Sequence, residues 1–178
     1  NRAISINPKY AEAYNDLGNI LRNQNKIDAS IEAYQNAIKI KSDYIVSQFN
    51  LALPLLLKKQ YNVGFKQYEW RLHGQGIEVT PPRKALYWDG CKNLIGKKFL
   101  VYEEQGLGDT IQFCRYIMKL GEFKPKIIFK AKKSLHGLLE TLDCDLELID
   151  HICPEMKVDF EAPLLSLPFL LKEKFDSS

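Results

Sequence analysis

A 34-residue repeat governs the first seventy positions of this 178-residue chain. Leu17-Gly18 is matched by Leu51-Ala52, Leu21 by Leu55, Ser30 by Gly64 and Tyr34 by Tyr68, each pair 34 positions apart. Ala3-Ile4-Ser5-Ile6-Asn7-Pro8 and Ala37-Ile38-Lys39-Ile40-Lys41-Ser42 recur at the same offset. A period of this length is one helix–turn–helix unit, which cannot bury its apolar face alone and must stack on neighbours. Gly18, Ala52, Ser30 and Gly64 are small where paired helices approach. Tyr34 and Tyr68 are bulky enough to fill the space between pairs. Pro8 stands where one helix ends and the next unit begins. The pattern predicts helices near 10–23, 27–40, 44–57 and 61–72, with Pro54 kinking the third or loosening its last turn. Two full repeats fall below the three or so that stand alone, so they are expected to lean on further repeats or on the next domain.

The pattern then changes. Gly74-Gln75-Gly76 and Thr80-Pro81-Pro82 make a turn-rich connector, flanked by Trp70, Tyr87 and Trp88 and expected to be pinned by aromatic packing. Beyond it, short apolar runs alternate with amphipathic stretches. Strands are predicted over 98–104, 126–131, 146–150 and 157–161, and helices over 110–120, 134–142 and 164–172. Alternation of this kind implies a parallel sheet with helices on its faces. The expected fold class is therefore α + α/β: helical repeats over 1–73, a connector over 74–97, and a partial Rossmann-like sheet over 98–178.

Composition narrows the function. With 46% hydrophobic and 26% charged residues the chain reads as globular, and a net charge of +3 is too small to imply a nucleic-acid partner. The longest apolar run, Leu51–Leu57, is far short of a membrane span, and no export signal opens the chain. Cys91, Cys114, Cys144 and Cys153 form no C-x-x-C pair and read as reduced thiols of a cytoplasmic protein. Asn1 falls inside a helical repeat and Phe175–Ser178 follows an apolar segment, so the chain is expected to be a piece of a longer protein.

The segment richest in chemistry is Glu103-Glu104-Gln105-Gly106-Leu107-Gly108-Asp109-Thr110-Ile111, where a strand runs through a glycine loop into a helix. A dinucleotide fingerprint needs a third glycine where Ile111 stands and an acid after the second strand, which ends Lys130-Ala131-Lys132-Lys133. No G-K-[ST] follows either, so no nucleotide cofactor is expected. Asp109 can cap the helix, with Gln112 reaching back in a capping box. The loop lies at the carboxyl end of a strand, where open α/β sheets bind their ligands, which makes Gln105, Gly106, Leu107, Gly108 and Thr110 candidate ligand contacts and Asp109 a candidate catalytic group. The competing reading is a cap and a tight turn, nothing more.

Other constellations are weaker. Asp143-Cys144-Asp145 has the D-x-D form of some metal sites but sits in a turn, and His151 and Cys153 lack zinc-ligand spacing, so no metal is expected. His73 and His136 read as helix-surface residues. Lys124, Lys126, Lys130, Lys132 and Lys133 form an acid-free run that is a solvated strand edge or an attractor of anionic sugar or phosphate.

The first seventy residues resemble tetratricopeptide repeats, and Ala13-Tyr14-Asn15-Asp16-Leu17-Gly18-Asn19 is similar to those of protein O-linked N-acetylglucosamine transferases. In such repeats polar first-helix residues line a groove for extended peptide. The resemblance implies that role for Asp16, Asn19 and Asn50, with Leu53 and Leu56 departing from it. The alternative is that these are solvated helix residues. The stretch from Gly96 through Tyr116, with Tyr68-Glu69-Trp70-Arg71, Tyr87-Trp88-Asp89-Gly90 and Ala162–Pro168, resembles bacterial proteins that join such repeats to a heptosyltransferase-like domain. That resemblance implies the amino-terminal, acceptor-binding half of a GT-B glycosyltransferase, with Asp109 as the base. It implies a protein or peptide partner on the repeats. Nucleotide-sugar donor and glycan acceptor would bind only in a complete protein. The rival expectation is a non-catalytic repeat scaffold capped by an α/β domain.

Overall fold

The computed structural model describes residues 2–74 and 86–172, which form two compact units divided between these two stretches. The first is helical: α1 (Arg2–Ile6), α2 (Ala11–Asn23), α3 (Ile27–Ile40), α4 (Ile45–Leu57) and α5 (Tyr61–Tyr68), closed by a 3-10 turn over Glu69–His73. α4 runs through Pro54 to Leu57. Tyr34 is fully buried against Leu51 and Leu55, with Ile31 and Ile38 packed around them, and its hydroxyl donates to Asn19 Oδ1 at 2.8 Å. Burial raises the Tyr34 pKa, offset in part by the Arg22 charge. Repeat logic extends to the turns. Asn25 (φ 60°) and Lys59 (φ 59°) are both left-handed, each followed by the bonds of a Schellman cap: Asn25 N–H to Arg22 O and Lys26 N–H to Leu21 O, then Lys59 N–H to Leu56 O and Gln60 N–H to Leu55 O.

Gly18 is where the helix pair closes. A Cβ there would sit 2.6 to 2.9 Å from three atoms of the Tyr34 ring, which is itself boxed in. Gly18→Ala is therefore expected to cost roughly 1–3 kcal/mol through overpacking, although alanine is the better helix former. Urea unfolding measures it, and a stabilised variant would show that the ring can yield.

The second unit is a five-stranded, all-parallel sheet in the order β1-β5-β2-β3-β4: β1 (Leu86–Tyr87), β2 (Lys98–Tyr102), β3 (Lys126–Lys130), β4 (Leu146–Ile149) and β5 (Phe160–Pro163). β2 pairs in register with β3 from Lys98↔Lys126 to Tyr102↔Lys130, and with β5 from Phe99↔Phe160 to Tyr102↔Pro163. Strands covered on both faces read as continuous apolar runs, as Phe99-Leu100-Val101 and Ile127-Ile128-Phe129 do. On one face Leu100, Tyr102 and Ile128 are covered by Ile149, Ile152, Met156 and Val158. Trp88 is buried edge-on to Phe99 and Phe123, its indole N–H donating to Lys92 O at 3.0 Å.

Element boundaries depart from the sequence reading for local reasons. The single helix expected over 110–120 starts three residues earlier, at Leu107 after the Gly106 cap, and is divided at Cys114 into α6 (Leu107–Phe113) and α7 (Arg115–Gly121). At the junction the Cys114 thiol takes the Ile111 carbonyl at 3.1 Å. The helix expected over 134–142 shortens to a 3-10 turn, Lys133–Leu135, and α8 (His136–Leu139), with Gly137 weakening it and the Thr141 hydroxyl taking the Leu138 carbonyl. Over 164–172 a 3-10 turn, Leu164–Ser166, precedes α9 (Leu167–Leu170): Pro168 has no N–H for a continuous ladder and occupies a first turn instead. The last strand is shifted to Phe160–Pro163, and Leu86–Tyr87, inside the segment read as connector, forms the edge strand β1. Among the described residues no helix is long and apolar enough to cross a membrane.

Candidate functional site

β2 ends at Tyr102, and the chain turns through Glu103–Gly106 into α6 at the carboxyl end of the sheet. Gly106, not Asp109, is the N-cap. Asp109 is the third residue of the helix, and its Oδ2 accepts the Gly106 N–H at 3.1 Å. It is therefore the acidic half of a capping arrangement whose other half a glycine cannot supply. The physical reason for the displaced start is that an extended Gly106 and the Asp109 carboxylate together satisfy the turn before Asp109 is reached. The bonded Asp109 side chain is half-buried; Gln105, Gly106, Leu107 and Gly108 are exposed.

Thr110 is buried and faces inward. Its hydroxyl lies 3.3 Å from Gly106 O and 3.5 Å from Glu103 Oε2. Glu103 is buried as well, ion-paired to Lys130 Nζ at 2.9 Å. The lysine run thus divides along β3: Lys124 and Lys126 stand at its start, Lys130 closes it half-buried and paired with Glu103, and Lys132 and Lys133 are exposed beyond it.

Of the two glycines of the loop, Gly106 is the N-cap of α6, a position where glycine outranks alanine, and Gly108 answers no need of the fold. Gly106 has an ordinary φ of −74°, and neither it nor Gly108 is among the left-handed residues of the described chain. A Cβ on Gly108 would meet nothing within 4 Å, and one on Gly106 would meet only the Asp109 carboxylate at 3.4 Å. Glycine in place of alanine in a helix costs about 0.5–1 kcal/mol. At Gly108, in the first turn of α6, that cost is spent on open space at the carboxyl end of a parallel sheet.

In the repeats, the three groove candidates differ. Asp16 is exposed, while Asn19 and Asn50 are half-buried and bonded within the chain, Asn19 Oδ1 to the Tyr34 hydroxyl and Asn50 Nδ2 to Asn15 Oδ1 at 3.0 Å. Asn15, which the sequence did not single out, is the hub. It is buried, and its Oδ1 also accepts the Ser47 hydroxyl at 3.0 Å, joining α2 to α4. Its partners lie 32 and 35 positions away, so the 34-residue period does not mark the link.

Asp143-Cys144-Asp145 lies in the turn before β4, and its electrostatic effect falls on the thiol between the two acids. Burial first, then Asp143 and Asp145, raise the Cys144 pKa. Among the described residues no group of three or more His, Cys, Asp or Glu side chains is placed to hold a metal ion.

Residues 11–44, which span α2, α3 and the turn between them, match the tetratricopeptide repeat family. Among solved structures, a mutant of the O-GlcNAc transferase of Thermobaculum terrenum is similar at a TM-score of 0.40 and 16% identity. The alignment covers 84% of this chain and 30% of that one, so the chain spans under a third of that protein's length. No curated protein matches the chain.

Proposed function

We propose that this chain is the acceptor-side part of a GT-B, heptosyltransferase-like sugar transferase of the bacterial cytoplasm, whose repeats recruit a protein partner or the acceptor. The motif resemblance over Gly96–Tyr116 supports the reading. The observation that carries it is the Gly106–Gly108 loop, exposed at the carboxyl end of the sheet, with a glycine at position 108 that the fold itself does not require. Close approach of a ligand to backbone is the use of such a glycine. In the reaction, the acceptor hydroxyl attacks the anomeric carbon of the donor sugar, its proton passes to the Asp109 carboxylate, and the bond from that carbon to the nucleoside-diphosphate oxygen breaks. The donor itself belongs to another domain. A non-catalytic repeat scaffold is the second reading, favoured by the Gly106 N–H bond to Asp109, which a pure cap would also make.

Titration of the 15N-labelled chain with simple saccharides and with nucleotide sugars tests the proposal. Saccharides are expected to shift the amides of Gly106–Thr110 at millimolar concentration, while nucleotide sugars bind no tighter than about 1 mM. Gly108→Ala should abolish those shifts and leave the chain as stable or more so, by up to about 1 kcal/mol. A nucleotide sugar bound at micromolar Kd, a loop indifferent to every saccharide, or a destabilised Gly108→Ala variant would each sink the reading.

A further inference from the structure

Glu103 and Glu104 are consecutive at the carboxyl end of β2 and serve opposite neighbours. Glu103 reaches β3: its N–H donates to Lys130 O at 3.0 Å and its Oε1 lies 2.9 Å from Lys130 Nζ. Glu104 reaches the chain after β5, its Oε2 accepting the Leu165 N–H at 3.3 Å. Glu103 also touches the helix that carries Asp109, through the Thr110 hydroxyl 3.5 Å from its Oε2. That hydroxyl and the Thr110 N–H both lie within reach of Gly106 O, at 3.3 and 3.2 Å, so Thr110 is the clasp of the turn. The ion pair is not a surface bridge, since the Glu103 side chain is 4% exposed and that of Lys130 28%. A carboxylate buried to that degree is costly unless paired, and removing its partner leaves an uncompensated charge.

We infer that Glu103 is a positioning residue: paired with Lys130, it holds the Thr110 clasp and so fixes the Gly106–Asp109 turn. Its effect on catalysis rests on the reading of Asp109 as the base; its effect on the turn does not. The sequence places the Glu103-Glu104 pair beside the loop, where both could be taken for ligand-facing acids. The structure turns Glu103 inward, toward the turn it supports.

Amide exchange on the whole chain, compared between wild type and Glu103→Gln, tests this. Glutamine keeps the shape and removes the charge. Exchange at Gly106 and Thr110, whose amides are bonded within the turn, is expected to speed up about tenfold or more, while Val101 and Phe129 in the sheet stay within about twofold. Lys130→Arg keeps the pair and should leave both sets near wild type. If Glu103→Gln does not fold, Lys130→Gln is read in its place. Unchanged turn amides, or equal acceleration in turn and sheet, would overturn the inference and make the pair a plain strut. In a transfer assay with a protein that carries this chain and a donor-binding domain, kcat should fall about tenfold with KM unchanged. A wild type that transfers no sugar would defeat the base assignment while leaving the exchange result to decide the positioning.

Discussion

Asp109→Asn, made in a protein that joins this chain to a donor-binding domain, should reduce sugar transfer by about 10²–10⁴-fold, a barrier increase of roughly 3–5 kcal/mol. The melting temperature should move by only a few degrees. The geometry makes the two effects separable. Asp109 contributes to the fold by accepting the Gly106 N–H, and an asparagine carbonyl in the same place can accept that bond. What asparagine loses is a negative charge in the first helical turn, worth about 0.3–1 kcal/mol, and the capacity to take a proton. Parallel measurement of turnover and thermal unfolding decides between base and cap. Turnover within a few-fold of wild type assigns Asp109 to the turn alone, whereas a collapse in both quantities assigns it to structure.

Gly90→Ala should destabilise the α/β unit by roughly 3 kcal/mol or more, lowering its unfolding midpoint by about 12 °C or more. Gly90 has φ +77°, where a side chain alone costs about 1–2 kcal/mol. In addition, its Cβ would lie 2.3 Å from the Leu170 carbonyl oxygen and 3.2 Å from the carbonyl carbon. These are backbone atoms at the end of α9, whose Leu167 and Leu170 are buried, so no flexible side chain can swing aside. Gly96→Ala is the internal control. Its φ is +68°, yet a Cβ there meets nothing within 4 Å. It should lose only the conformational part, and equal losses in the two variants would show that the contact with Leu170 carries no cost.

The repeats were legible because a 34-residue period constrains many positions at once. Small residues at 18, 30, 52 and 64 and tyrosines at 34 and 68 admit few arrangements, and the helices fall where the period puts them. The α + α/β class was legible for a related reason, as strands buried on both faces read as unbroken apolar runs. Short elements were not. A two-residue strand such as Leu86–Tyr87 has no periodicity to detect, and the helices near 136 and 167 were overestimated because Gly137 and Pro168 act locally. At the site, the glycine loop stood out in the sequence, but the displaced cap did not, since Gly106 and Asp109 both fit a helix start. The Glu103–Lys130 pair was hidden for a topological reason. Its members are 27 positions apart and meet only because β2 and β3 pair in one particular register.

The strand order also sets a timetable for synthesis. β2, β3 and β4 are neighbours in sequence as well as in the sheet, so each can dock on the last as it leaves the ribosome. β5 is different: it lies between β1 and β2, although the chain makes both long before it. Leu86–Tyr87 must therefore wait for Phe160–Glu161 before it has a strand to pair with, and until then the β5 side of β2 is not covered by a strand. Such a gap is slow to close and open to the wrong strand in the meantime. A nascent chain stalled before residue 160 would carry an apolar β2 edge not covered by β5, and that is the stage at which a holding chaperone would find most to bind.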